Sequence, residues 1–97
     1  MPMSVYVDNM NAKYRRMRMF HMLADTREEL IDMAKKIDVK TKWIQCEGTY
    51  REHFDICKSK RQLALDNGAI EVSMREVALL LNKRKNEIAY SQGDRIE

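Results

Sequence analysis

Three positions in this chain carry the same helix-start signature, a Ser or Thr followed three residues later by Glu or Gln: Thr26/Glu29, Ser59/Gln62 and Ser73/Glu76. In such a box the hydroxyl caps an orphan amide of the first turn and the longer side chain reaches back to the cap's own N–H, so each box predicts a helix beginning there. The first helix is expected over about Arg27 to Ile37, with Leu30, Met33, Ala34 and Ile37 on one face and Glu28, Asp32, Lys35 and Lys36 on the other. A second, Lys60 to Asn67, ends at Gly68, and a third, Met74 to Glu87, buries Val77, Leu80 and Leu81.

Between these helices lie short β-branched or alternating runs. Met3 to Asp8 reads as a strand ending in an acidic residue, followed by a loop over Asn9 to Arg16. Arg18 to Ala24 alternates, with Met17, Met19, His21 and Leu23 on one face and Arg18, Phe20, Met22 and Ala24 on the other, the pattern of an interior strand. Ala69 to Val72 leads as a strand into the Ser73 cap, Trp43 to Cys46 is a weaker candidate, and Glu47 to Asp55 reads as a loop. Strands alternating with helices predict an α/β fold, a small sandwich of three or four mostly parallel strands with three helices. The stretch from Asp8 to Arg18 is short for a helical crossover, and the alternative is an antiparallel pairing of the first two strands through a long hairpin. Residues 1–90 are expected to form one α/β domain and residues 91–97 a flexible tail.

Composition limits the partners. A chain of 97 residues supports one modest core and leaves little room for a large internal cavity. The net charge of +3 does not by itself imply nucleic-acid binding, but its distribution is uneven. From Asn9 to Ala24 there are Lys13, Arg15, Arg16 and Arg18 and no acidic residue. A second basic run, Lys83-Arg84-Lys85, suits the negative end of a helix dipole. Cys46 and Cys57 form no paired motif, which fits a reduced, cytoplasmic compartment, and no apolar run is long enough to span a bilayer. Met10, Met17, Met19 and Met22 are expected mainly in the core.

The segment Met17 to Thr26, followed by Glu29-Leu30, Trp43, Gln45 and His53-Phe54-Asp55-Ile56, resembles a family of short bacterial and phage proteins catalogued as domain-of-unknown-function family 4031. The likeness runs from Val5 through Lys60-Arg61 to Val72. It implies a bacterial or phage cytoplasmic setting and supplies no activity. Its polar positions match here as Asp8, His21, Asp25, Trp43, Gln45, His53, Asp55 and Arg61, and where the family usually has Gly after the first helix this chain has Asp38. Asp tolerates the left-handed backbone better than most residues, so the helix end is expected to survive.

Three kinds of chemistry are legible. Asp8, Asp25 and Asp55 are candidate oxygen ligands for Mg²⁺ or Mn²⁺, with the strand-end Asp8 resembling superficially the first acidic residue of PIN-type nucleases. Against this, Asp8 also suits accepting loop amides and Asp25 sharing the Thr26 cap. His53 and Asp55 alternate and would project to one side if extended; with His21 they are the candidate catalytic acid/base groups. For a phosphate-bearing ligand, Arg15, Arg16, Arg18, Lys60 and Arg61 supply charge and Trp43, with Tyr14, supplies stacking.

Three functional expectations result: a binding module for a nucleotide or nucleic acid, a metal-dependent phosphoesterase or nuclease, and a protein-interaction module that occludes a partner. All avoid the membrane, and the exposed edges of so small a sheet make a homodimer plausible. The first two require the ends of the first two strands, the His53 loop and the basic side chains to face one hollow.

Overall fold

In the computed structural model, which describes residues 4–86, a mixed five-stranded sheet carries three helices. The strands are β1 (Val5–Val7), β2 (Ala12–Tyr14), β3 (Met17–Ala24), β4 (Phe54–Cys57) and β5 (Ile70–Glu71). The helices are α1 (Arg27–Lys36), α2 (Lys58–Asp66) and α3 (Met74–Lys85), with a short 3-10 turn at Thr41–Trp43. The expected tail at 91–97 and the last residue expected in the third helix, Glu87, lie outside the described residues.

The fold class holds, and the expectation of a mostly parallel sheet is corrected. β3 pairs antiparallel with β1, β2 and β4, and only β1 and β5 run parallel. The cause is the first connection, which is a long hairpin rather than a crossover. β1 pairs with Met22–Ala24 and β2 with Met17–Met19, so residues 8–11 of the first arm face only residues 20–21 of β3. Two extra residues are thus bulged out at Asp8 to Asn11, with Asn11 in the left-handed region at φ 53°. The loop expected over Asn9 to Arg16 therefore contains a strand.

The loop expected over Glu47 to Asp55 is likewise corrected, because β4 begins inside it. Trp43 to Cys46 is not a strand; it holds the end of the 3-10 turn and a single antiparallel bridge from Gln45 to His53. The helix starts divide similarly. Ser73 and Glu76 form the full reciprocal box, and the Thr26 hydroxyl accepts the Glu29 amide. The Ser59 box is absent: β4 runs straight into α2, whose cap is Cys57, which leaves Ser59 inside the first turn. Asp38 takes φ 61° after α1, as the tolerance of Asp for that region allows.

The core follows from the period-two pattern. Phe20, Met22 and Ala24 of β3 join Val5 and Val7 of β1, Phe54 and Ile56 of β4, and Leu30, Met33 and Ala34 of α1 with Ile37 in one buried cluster. The methionines split: Met22 and Met33 are buried while Met17 and Met74 are exposed. On the opposite face Leu23 is also buried, and Arg84 of α3, only 2% exposed, donates to the carbonyls of Ala24, Tyr50 and Glu52. Farther along that face the cover stops, and Met19, His21, His53, Asp55 and Cys57 reach solvent.

Candidate functional site

His21 lies directly opposite Asp55 in the β3–β4 ladder, and Gln45 pairs with His53 through two reciprocal backbone hydrogen bonds of 2.8 and 3.1 Å. Side chains at His53 and Asp55 are two residues apart on an extended strand and so project to the same face as their cross-strand neighbour His21. The result is a compact group: His53 Nε2 is 3.4 Å and His21 Nε2 3.9 Å from Asp55 Oδ1, and the two rings meet edge to face with centroids 5.1 Å apart. One ligand atom from each of the three residues falls within 4.8 Å of the others.

The inner nitrogens of both rings, Nδ1, are engaged. His21 Nδ1 lies 2.6 Å from Asp8 Oδ2, and His53 Nδ1 lies 2.7 Å from the Arg51 carbonyl. A carboxylate and a carbonyl only accept, so each Nδ1 carries a hydrogen, and Nε2 is the ring nitrogen that faces Asp55 and the one whose lone pair a metal would take. This is the arrangement by which proteins fix the tautomer and orientation of metal-ligating histidines.

The bulge explains how Asp8 comes to do this. Its N–H continues the ladder by donating to the His21 carbonyl at 3.0 Å, but the next ladder acceptor is not a backbone carbonyl: Asp8 Oδ1 takes the His21 amide at 2.8 Å and the Met10 amide at 3.2 Å. One carboxylate therefore closes the interrupted strand with one oxygen and holds the imidazole with the other. Asp8 is fully buried, which pushes its carboxyl pKa up, but the His21 side chain and the two amides outweigh burial and hold it below the usual value. For His21 the Asp8 hydrogen bond is the main influence and raises its pKa; burial opposes, and the charges of Asp8 and Asp55 add to the rise.

The other expected site residues are placed elsewhere or differently. Asp25 does not join the cluster; it sits four residues beyond His21, one past the end of β3, about 13 Å at ~3.3 Å per residue. There it accepts the Ser4 amide at 2.9 Å and the Tyr6 hydroxyl at 3.0 Å, so its expected share in the Thr26 cap is also corrected. Arg61 is near the site but internally paired, with Nε on the Asp8 carbonyl at 2.9 Å, Nη2 on Glu71 at 2.7 Å and its guanidinium over the Phe20 ring. Lys60 is half-buried in the first turn of α2. Arg15, Arg16 and Arg18 lie at the exposed β2–β3 hairpin, and Trp43 is exposed beyond Gln45. The single hollow expected for strand ends and basic groups is thus replaced by an open sheet face holding His21, His53 and Asp55, with Asp8 beneath it.

Sequence reasoning passed over Arg51 and Cys57. Arg51 acts through its carbonyl, which no residue type reveals. Cys57 lies two residues beyond Asp55 and 3.3 Å from the Ser59 hydroxyl; burial raises its thiol pKa, and the Ser59 hydrogen bond with the amides of the α2 start lowers it by more.

A mixed-sheet α/β domain with a His–His–carboxylate group on an open face is the class of protein that fold and cluster define. The chain belongs to the family described as "Protein of unknown function (DUF4031)", whose model matches residues 5–84 and so spans every residue of the cluster. Comparison with curated proteins and with solved structures gave no match.

Proposed function

We propose that His21 Nε2, His53 Nε2 and Asp55 bind one divalent transition-metal ion, and that the protein is a metal-dependent hydrolase of phosphate esters. The observation carrying the reading is that both rings are locked by their Nδ1 partners with Nε2 turned to one carboxylate. Ligand bonds of ~2.1 Å at tetrahedral angles place ligand atoms ~3.4 Å apart. The His53–Asp55 separation of 3.4 Å already meets this, the 3.9 Å to His21 closes by a small turn of the 41%-exposed Asp55 side chain, and the two ring nitrogens, within 4.8 Å of each other, draw together on the ion. Two imidazoles and one carboxylate favour Zn²⁺, Mn²⁺ or Fe²⁺ over Mg²⁺, which prefers oxygen throughout. Asp8 is then an orienting group rather than a ligand, and Asp25 has no part in the site.

Such an ion polarises a phosphoryl oxygen and lowers the pKa of water at its open positions. The protein's own contribution is orientation. Asp8 and the Arg51 carbonyl hold the rings, the exposed face admits a bulky substrate, and the basic hairpin raises the local concentration of anions. No described helix is long and apolar enough to cross a membrane, and with two free cysteines we assign the protein to the cytoplasm.

The test uses a chromogenic phosphodiester. Turnover should stop in EDTA, return with Mn²⁺ or Zn²⁺ and be absent in Asp55→Ala. Turnover unaffected by chelation contradicts the reading. The non-enzymatic alternative, a phosphate-binding module built on Arg15, Arg16 and Arg18, is favoured instead if phosphate ligands bind with no turnover under any metal.

A further inference from the structure

The open face does not end at His21. Along β3 the side chains sharing its parity are Met19 and Met17, and Tyr14, opposite Met17 in the hairpin ladder, shares their face. Tyr14 is 53% exposed, with the Arg15 guanidinium 5.5 Å from its ring centroid. Arg15 and Arg16 form the hairpin tip, Lys13 and Arg18 flank it, and no acidic residue occurs from Asn9 to Ala24. A stacking ring and His21 therefore share one face, with the Arg15 and Arg16 cations at its hairpin end, while Lys13 and Arg18 have the opposite parity.

We propose that the substrate of this face is single-stranded nucleic acid, laid along β3 from the hairpin tip to the His21–His53–Asp55 group. This rests on the hydrolase reading above and names its substrate class. Met17 to His21 is four strand residues, about 13 Å at ~3.3 Å each, more than one nucleotide's backbone repeat, so a mononucleotide at the metal group leaves the hairpin unused. Tyr14 offers a ring face, which an unstacked base can cover and a base held inside a duplex cannot. The tip cations Arg15 and Arg16 meet phosphates at the hairpin end of the strand, and contacts of this kind release counterions and make binding salt-dependent.

The experiment is fluorescence anisotropy with a labelled mixed-sequence 12-nucleotide DNA, its RNA equivalent and the matching DNA duplex, on the full chain in EDTA so that nothing is cleaved. Single strands should bind more tightly than duplex, and raising salt from 50 to 200 mM should weaken them about ten-fold or more. Tyr14→Ala should weaken single-strand binding about five-fold or more, Tyr14→Phe should not, and Arg16→Ala should lower the salt dependence. These hairpin side chains are exposed, and unchanged circular dichroism verifies folding. Equal affinity for duplex, or affinity indifferent to Tyr14→Ala, overturns the inference. A parallel Zn²⁺ titration separates the two readings: strand binding lost with metal binding intact defeats only the substrate class, whereas metal binding lost with strand binding intact defeats only the metal site.

Discussion

The two ends of β3 both carry charge, and they use it in opposite ways. At the Ala24 end Arg84, Glu52 and Asp25 are turned inward. Arg84 satisfies three main-chain carbonyls, the buried Glu52 accepts the Gly48 amide at 3.0 Å and lies 3.5 Å from Arg27, and Asp25 is taken up by Ser4 and Tyr6. At the His21 end the inner atoms are equally engaged, but the outer ones, Nε2 of both histidines and the Asp55 carboxylate, meet at a solvent-facing surface. A charge consumed on all sides holds a fold together. A group fixed on one side and presented on the other is equipped to hold something else.

The sharpest break in this comparison should come from Arg84→Met. Three carbonyls lose a charged donor, and at about 1–3 kcal/mol for each buried group left without a partner the domain should lose about 3 kcal/mol or more in urea unfolding. The folded fraction should bind metal as before. Next comes Asp8→Asn, which keeps an oxygen for the amides but removes the anion from His21. Metal affinity, read by calorimetric Zn²⁺ titration, should fall about 10- to 100-fold, with a stability loss of about 1–2 kcal/mol.

The Asp8–His21 end should also respond to pH in a defined sense. His21's pKa is raised in the fold, so its contribution to stability is complete below the unfolded value of about 6.5 and is lost as pH rises through the raised value. Asp8's is lowered, so its contribution is present above about 3.9 and is lost as pH falls through the lowered value. Protons compete for His21 Nε2, so metal affinity should climb with pH across the His21 titration; a flat profile between pH 5 and 8 contradicts its role as ligand. The smallest effect belongs to Asp25→Asn, with a stability change near 1 kcal/mol in the same urea assay and no change in metal affinity. A metal effect there would erase the distinction between the ends.

Much of this contrast was legible in the chain itself. The alternation of Met17 to Ala24 marks an interior strand with His21 on the face opposite Phe20 and Met22, and the spacing of His53 and Asp55 places them together once extended. Their register against His21 is a non-local fact that no local pattern carries. β4 escaped notice because its outward positions are polar and its apolar ones, Phe54 and Ile56, are too few to separate from a loop. Asp8 was recognisable as an acceptor of loop amides, as the Met10 amide shows, but not as the partner of His21, since only the two-residue bulge reveals that it replaces a ladder acceptor. The Ser59 signature misled because a strand ending at Cys57 starts the helix two residues earlier than a capping box at Ser59 allows.

The most direct measurement is the nitrogen NMR spectrum of the two imidazoles during Zn²⁺ addition. Nε2 of His21 and Nε2 of His53 should shift together and saturate at one equivalent of metal, while both Nδ1 atoms remain protonated. A response from one ring alone, or from neither, contradicts a shared metal centre.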